Sequence, residues 1–229
     1  MYYNRWVIKY KKIFFMSVII VFFSLIVSYY YSVRSQKTPG LAGDKKVSDQ
    51  LTLKMDDHTA GNTEAPVTII EYSSVECDSC KKLHTVFKEI LRIHPTEISW
   101  VFRHSPQTTY PKSFKEAEAL ECASEQGGND AFFRYLDQLF QVTRSDNSID
   151  LALLPDIADS INLDVEHFTV CLEDRRFIER VNRDLYTGET LGITIKPHLF
   201  ILTSHDIISL SGYQSYAAIE TIIIDLLSK

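Results

Sequence analysis

Cys77 and Cys80 are the residues of this chain best suited to chemistry. Two cysteines three positions apart at the start of a helix lie one turn from each other, close enough to join. The free backbone N–H groups of that turn favour a thiolate. Such a pair exchanges disulfides. Its other use is half of a zinc site, which needs a second pair of Cys or His ligands at comparable spacing. The other two of the four cysteines, Cys122 and Cys171, stand singly.

The flanking residues explain how the pair is held. Residues 67–72 are β-branched and aromatic, too short for a helix, and read as a buried strand. Leu83, Val86, Phe87, Ile90 and Leu91 then recur at helical spacing, with Lys81, Lys82, Lys88 and Glu89 on the other side, so a helix begins near Cys77. On the strand, Glu71 shares a face with Val67 and Ile69. Burial there raises a carboxyl pKa and makes Glu71 a candidate acid–base group, against the alternative of an exposed strand-end carboxylate. His84, a turn past Cys80, reads as a surface residue, and His58 as a solvated loop residue rather than a ligand.

Further along, residues 98–102 form a second strand, broken at Arg103-His104-Ser105-Pro106. A helix from Lys112 stops at Gly127-Gly128, and Asn129 caps another with Phe132, Phe133, Leu136, Leu139 and Phe140 inward. Residues 149–161, 165–172 and 176–191 continue as helices. Strands at 198–202 and 207–210 and an amphipathic helix at 216–227 close the chain. The order strand, helix, strand, helical block, strand, strand, helix makes an α/β sandwich with an insertion at about 108–190.

The N-terminal part has a different composition. Residues 1–12 carry Arg5, Lys9, Lys11 and Lys12 with no acid, and residues 13–33 are uncharged and dominated by Ile, Val, Phe, Leu and Tyr. That run is long enough to span a bilayer, and its basic flank places the N-terminus in the cytoplasm. A cleaved signal peptide, with a shorter apolar core and a small-residue cleavage site, is the weaker reading. Residues 34–60 read as a polar spacer, with a short strand at 51–55, and residues 61–229 as the exported domain. Outside the leader, 20 Lys and Arg face 30 Asp and Glu, so the exported part is acidic and ill suited to nucleic acid.

Several segments resemble the DsbA-like thiol:disulfide oxidoreductases of the thioredoxin superfamily. Ala65-Pro66-Val67-Thr68-Ile69-Ile70-Glu71-Tyr72 followed by Cys77-Asp78-Ser79-Cys80 is similar to the family's entry strand and active site. Phe102-Arg103-His104-Ser105-Pro106, Glu121-Cys122-Ala123-Ser124-Glu125-Gln126-Gly127 and Gly192-Ile193-Thr194-Ile195-Lys196-Pro197 resemble later segments. The resemblance implies a thioredoxin-like fold from about residue 61 onward. It makes Cys77 the exposed nucleophile, Cys80 the buried resolving cysteine, Glu71 the acid that relays a proton to or from Cys80, and Pro197 the cis-proline beside the disulfide. It also implies a structural disulfide between Cys122 and Cys171, against the alternative of two buried thiols.

By the same resemblance, no organic cofactor or metal is needed. It implies reduced exported proteins as substrates and a membrane quinone reductase of the DsbB type as reoxidant, while the basic flank and apolar run lead us to expect the domain on the periplasmic face of a bacterial inner membrane. The alternatives are a disulfide reductase or isomerase, and a module holding copper or zinc with the two thiolates. Asp78, Ser79 and Lys196 depart from the family's usual residues and are expected to tune the redox centre. The charges of Asp78 and Glu76 raise the Cys77 pKa, and that of Lys196 lowers it.

Overall fold

The computed structural model describes residues 23–24 and 45–228. The leader at 1–12 and, apart from Phe23 and Ser24, the expected membrane segment at 13–33 lie outside the described residues. Among the described residues, no helix is long and apolar enough to cross a membrane.

The domain is a five-stranded mixed sheet with helices on both faces. In chain order the elements are α1 (Lys45–Leu51), β1 (His58–Gly61), β2 (Val67–Ser73), α2 (Asp78–Ile93), β3 (Ile98–His104), α3 (Lys112–Val142), α4 (Leu153–Ser160), α5 (Val165–Glu173), α6 (Ile178–Thr190), β4 (His198–Leu202), β5 (Ile207–Ser211) and α7 (Tyr216–Leu227). The strands lie in the order β1-β3-β2-β4-β5. β2 is central, parallel to β3 and antiparallel to β4. A strand covered on both faces needs apolar residues at odd and even positions alike, which is why residues 67–72 read as a nearly continuous hydrophobic run. Val67 and Ile69 join the larger core with Leu83, Phe87 and Ile90 of α2 and Ile219 and Ile223 of α7. Ile70 and Tyr72 face the other way, onto Leu51, Val101, Ile193 and Phe200.

The spacer expected at 34–60 is folded from residue 45 onward. In place of a strand at 51–55, residues 45–51 are helical and the strand comes later, at His58–Gly61. The cause is Arg103, whose side chain is wholly buried. Its guanidinium donates to both carboxylate oxygens of Asp57, to the carbonyls of Gln50 and Thr52 and to the Tyr72 hydroxyl, which uses all five donors. A buried cation demands such partners, and meeting the demand pins the segment to the sheet.

The helical block runs from α3 to α6. Both helices expected around Gly127 exist, but they form one bent element, α3. The bend needs glycine: Gly128 has φ 61° and ψ −151°, a region closed to residues with a Cβ. The later helices are shorter than the sequence pattern implied at 149–161 and 176–191. Asp164 caps α5 by accepting from the His167 N–H. Cys122 of α3 and Cys171 of α5, both buried, form a disulfide with an S–S distance of 1.99 Å.

That bond closes a loop with a sequence separation of 49 residues, which corresponds to about 4 kcal/mol of denatured-state entropy. Replacing both cysteines with alanine is expected to lower stability by up to this amount. A urea unfolding midpoint equal to that of the wild type would contradict it.

Candidate active site

The site is built where β2 ends and α2 begins. After Ser73 the chain turns through Ser74, Val75 and Glu76, and Cys77 takes the N-cap position with extended backbone (φ −153°, ψ 106°). Its sulfur accepts the Cys80 N–H at 3.2 Å, satisfying one of the helix's free donors. Cys77 and Cys80 are joined as a disulfide with their Cα atoms 5.2 Å apart. Cys77 keeps 7% of its surface and Cys80 none, so only Cys77 can meet an incoming thiolate.

Two other loops close on this turn. The Lys196–Pro197 bond is cis, and the Lys196 carbonyl accepts from the Ser79 hydroxyl at 3.2 Å. That same hydroxyl lies 3.3 Å from the Cys77 sulfur. Lys196 Nζ donates to the Pro106 carbonyl at 2.8 Å, and Gln107 Nε2 donates to the Glu76 carbonyl at 3.2 Å. The structure thus brings Cys77, Ser79, Lys196 and Pro197 into one neighbourhood. Ile195 and Tyr213 present exposed apolar surface from the Pro197 loop and from the segment just after β5.

The side chains of Asp78 and Lys196, expected to set the charge at Cys77, are each engaged elsewhere. Asp78 points into solvent, its side chain 68% exposed, and pairs with Lys82 at 2.6 Å. An exposed, paired charge acts weakly on a neighbour. The Lys196 amine is committed to the Pro106 carbonyl, and burial lowers its pKa. What reaches the Cys77 sulfur directly is neutral: the Cys80 N–H, and the Ser79 oxygen, whose one proton is donated to the Lys196 carbonyl in this oxidised form.

Glu71 is 1% exposed. By strand alternation it faces the same side as Val67 and Ile69, which belong to one core with Cys80. Trp100 Nε1 donates to its Oε2 at 3.0 Å, while Oε1 is buried without a partner. Burial outweighs the opposing effects of the Ser73 hydroxyl and the Trp100 indole and pushes the Glu71 pKa up to about 7. At neutral pH this group can both hold and release a proton.

A second acid lies nearby. Burial, reinforced by the charge of Glu76, pushes Glu116 up to about 8. Glu116 Oε2 and Glu76 Oε1 are both buried without other partners, while Thr143 and the Asn147 N–H hold the remaining oxygens.

Both histidines read as solvent-facing are buried. His84 is 6% exposed, donates to Asp137 at 2.6 Å, and packs against Trp100 and Phe140. The inward face of α2 is wider than its aliphatic residues alone indicated. His58 is 5% exposed and meets His104 and Glu121 in a buried cluster. Nothing local marks that cluster: its members come from β1, β3 and α3 and meet only in the folded chain.

A family model described as thioredoxin matches residues 53–223. Among solved structures, alpha-DsbA1 of Wolbachia pipientis is 26% identical with a TM-score of 0.67, covering 79% of this chain and 95% of that one. DsbA2 of Pseudomonas aeruginosa is 25% identical with a TM-score of 0.64, covering 77% and 97%. A curated relative, the Na(+)/H(+) antiporter NhaA 3 of Salinispora tropica, is 33% identical over 146 residues. Those residues are 63% of this chain and only 21% of the antiporter, so the chain spans about a fifth of the length of the curated relatives it matches. With residues 53–223 matched and the dithiol, buried acid and cis-proline loop in these positions, the chain belongs to the thioredoxin family, among its DsbA-like thiol:disulfide oxidoreductases.

Proposed function

We propose that the chain is a membrane-anchored dithiol oxidase that introduces disulfide bonds into reduced exported proteins. The observation that carries this reading is the Cys77–Cys80 disulfide at the start of α2, with one sulfur reachable and the other sealed. A substrate thiolate attacks Cys77 Sγ, the Cys77–Cys80 bond breaks, and the electron pair leaves on Cys80. Glu71 gives its proton to that buried thiolate, which cannot stay charged without solvent. The substrate's second thiolate then attacks its own sulfur in the mixed disulfide, and Cys77 leaves as a thiolate. Two electrons have passed from substrate to enzyme.

The direction follows from which form is stabilised. The Cys80 N–H and the start of α2 favour a Cys77 thiolate, and so does the Ser79 hydroxyl once it turns from the Lys196 carbonyl to the reduced sulfur. Stabilising the reduced form makes the disulfide a stronger oxidant. The Cys122–Cys171 bond supports an oxidising compartment. The anchor at 13–33 puts the domain on the periplasmic side of the inner membrane, where a DsbB-type quinone reductase takes the two electrons back.

Cys80→Ala tests this reading, because a mixed disulfide at Cys77 then has no resolving thiol. Envelope extracts are expected to contain dithiothreitol-sensitive adducts of exported proteins, and wild-type Cys77 is expected to be oxidised at steady state. An absence of adducts contradicts dithiol exchange; adducts with Cys77 reduced at steady state point to a reductase or isomerase.

Ser79→Ala is expected to raise the Cys77 pKa by about one to two units, the loss of one hydrogen bond to a charged sulfur. Asp78→Ala is expected to leave it within about half a unit, as for an exposed paired charge. Thiolate absorbance against pH measures both, and a larger effect of Asp78→Ala would contradict the neutral-donor account.

A further inference from the structure

We propose that His58, His104 and Glu121 form a binding site for a divalent cation of the zinc class, separate from the dithiol. His58 Nε2 lies 2.9 Å and His104 Nε2 2.7 Å from the same oxygen, Glu121 Oε1. The three ligand atoms lie within 4.8 Å of one another, and all three residues are buried. Ligands about 2.1 Å from a tetrahedral ion stand about 3.4 Å apart, so seating the ion asks the carboxylate to withdraw by under about 1 Å. Two imidazoles and one carboxylate suit Zn(II) or Co(II) better than the all-oxygen ions calcium and magnesium, and they leave a fourth position open.

The bonding at His58 points the same way. Its Nε2 faces Glu121 Oε1, and its Nδ1 faces Asn129 Oδ1 at 3.4 Å, an acceptor at each end. A neutral imidazole carries only one N–H. Without a cation, Nε2–H donates to Glu121 Oε1; a cation bound there takes the place of that proton, and the single N–H moves to Nδ1, where Asn129 Oδ1 accepts it. A histidine that ligates through one nitrogen and donates the other to an oxygen is the usual arrangement around a bound metal. The ring is fixed by stacking on Phe132, with centroids 3.7 Å apart.

The triad is reached from one side, through His58 and Glu121, past acidic side chains and the arginines Arg180 and Arg183 alike. A cleft of about 710 Å³ reaches His58 and Glu121, and Asp56, Asp57 and Glu125 also line it. Arg180 has its Nε 3.9 Å from Glu121 Oε1. Its charge is already met by Asp184 and Asp56. The three ligands sit on β1, β3 and α3, so a bound ion would tie the edge strand to the helical block.

The test uses the full chain with both disulfides formed, so that no thiolate competes, and titrates it with Zn(II) by calorimetry. One ion per chain is expected, with a matching rise in melting temperature. His58→Gln and Glu121→Gln should weaken binding by more than about tenfold, and Asn129→Ala by about tenfold through loss of the orienting oxygen. Co(II) should give a visible spectrum without thiolate charge transfer. Should the ligand variants fail to fold, Asn129→Ala and the wild-type melting shift still decide the question. No binding by the oxidised wild type, or equal binding by the folded variants, would overturn the proposal.

Discussion

A carboxyl group sealed from water cannot ionise cheaply, and this domain places one on its central strand behind a disulfide. Glu71 lies between neighbouring strands on both sides, and burial outweighs what the Ser73 hydroxyl and the Trp100 indole return, so its proton stays until the pH nears 7. The arrangement around it divides the labour of thiol exchange. Cys77 lies at the rim beside neutral donors, whereas Cys80 is buried, and in the mechanism proposed above it takes its proton from within. The two sulfurs differ because one sits at the N-cap of α2 and the other one turn inside it.

The rest of the fold serves to hold that turn. β2 delivers the chain to Cys77, and α2 is locked by Leu83, Phe87 and Ile90 against the sheet. The Pro197 loop, fastened through the Gly212 N–H to the Pro197 carbonyl at 2.7 Å, meets the dithiol turn through Ser79. On the far face Arg103 draws residues 50–57 onto the sheet and so places β1 along the edge of β3. Removing a partner from so buried a cation is costly, which ties the segment before the domain's first strand to the fold's integrity.

Sequence patterns revealed the elements whose burial is periodic and local. The strand at 67–72, the helix after Cys77 and the strand–strand–helix ending all carry alternation or helical spacing strong enough to read directly. α1 and β1 do not, because their order comes from one arginine more than 40 positions away in the chain, as the Arg103 contacts with Gln50 and Asp57 show. The side on which Asp78 stands was hidden for a related reason. Adjacency in sequence placed Asp78 beside Cys77, but the helix turns its carboxylate outward to Lys82. His58 and His84 were hidden because histidine has no fixed side of an amphipathic pattern, and their partners Glu121 and Asp137 lie on a distant helix.

The proton held behind the disulfide can be measured through stability. Glu71 binds its proton more tightly in the folded chain, at about 7, than the ordinary value of 4.5. The stability it contributes is therefore fully present below pH 4.5 and lost as the pH rises through 7, by about 3 kcal/mol in all. Unfolding free energies of the oxidised wild type and of Glu71→Gln, measured across that range, should diverge: the wild type loses stability relative to the variant as pH rises. Parallel curves would mean that Glu71 is ionised in the fold and is not the proton source for Cys80.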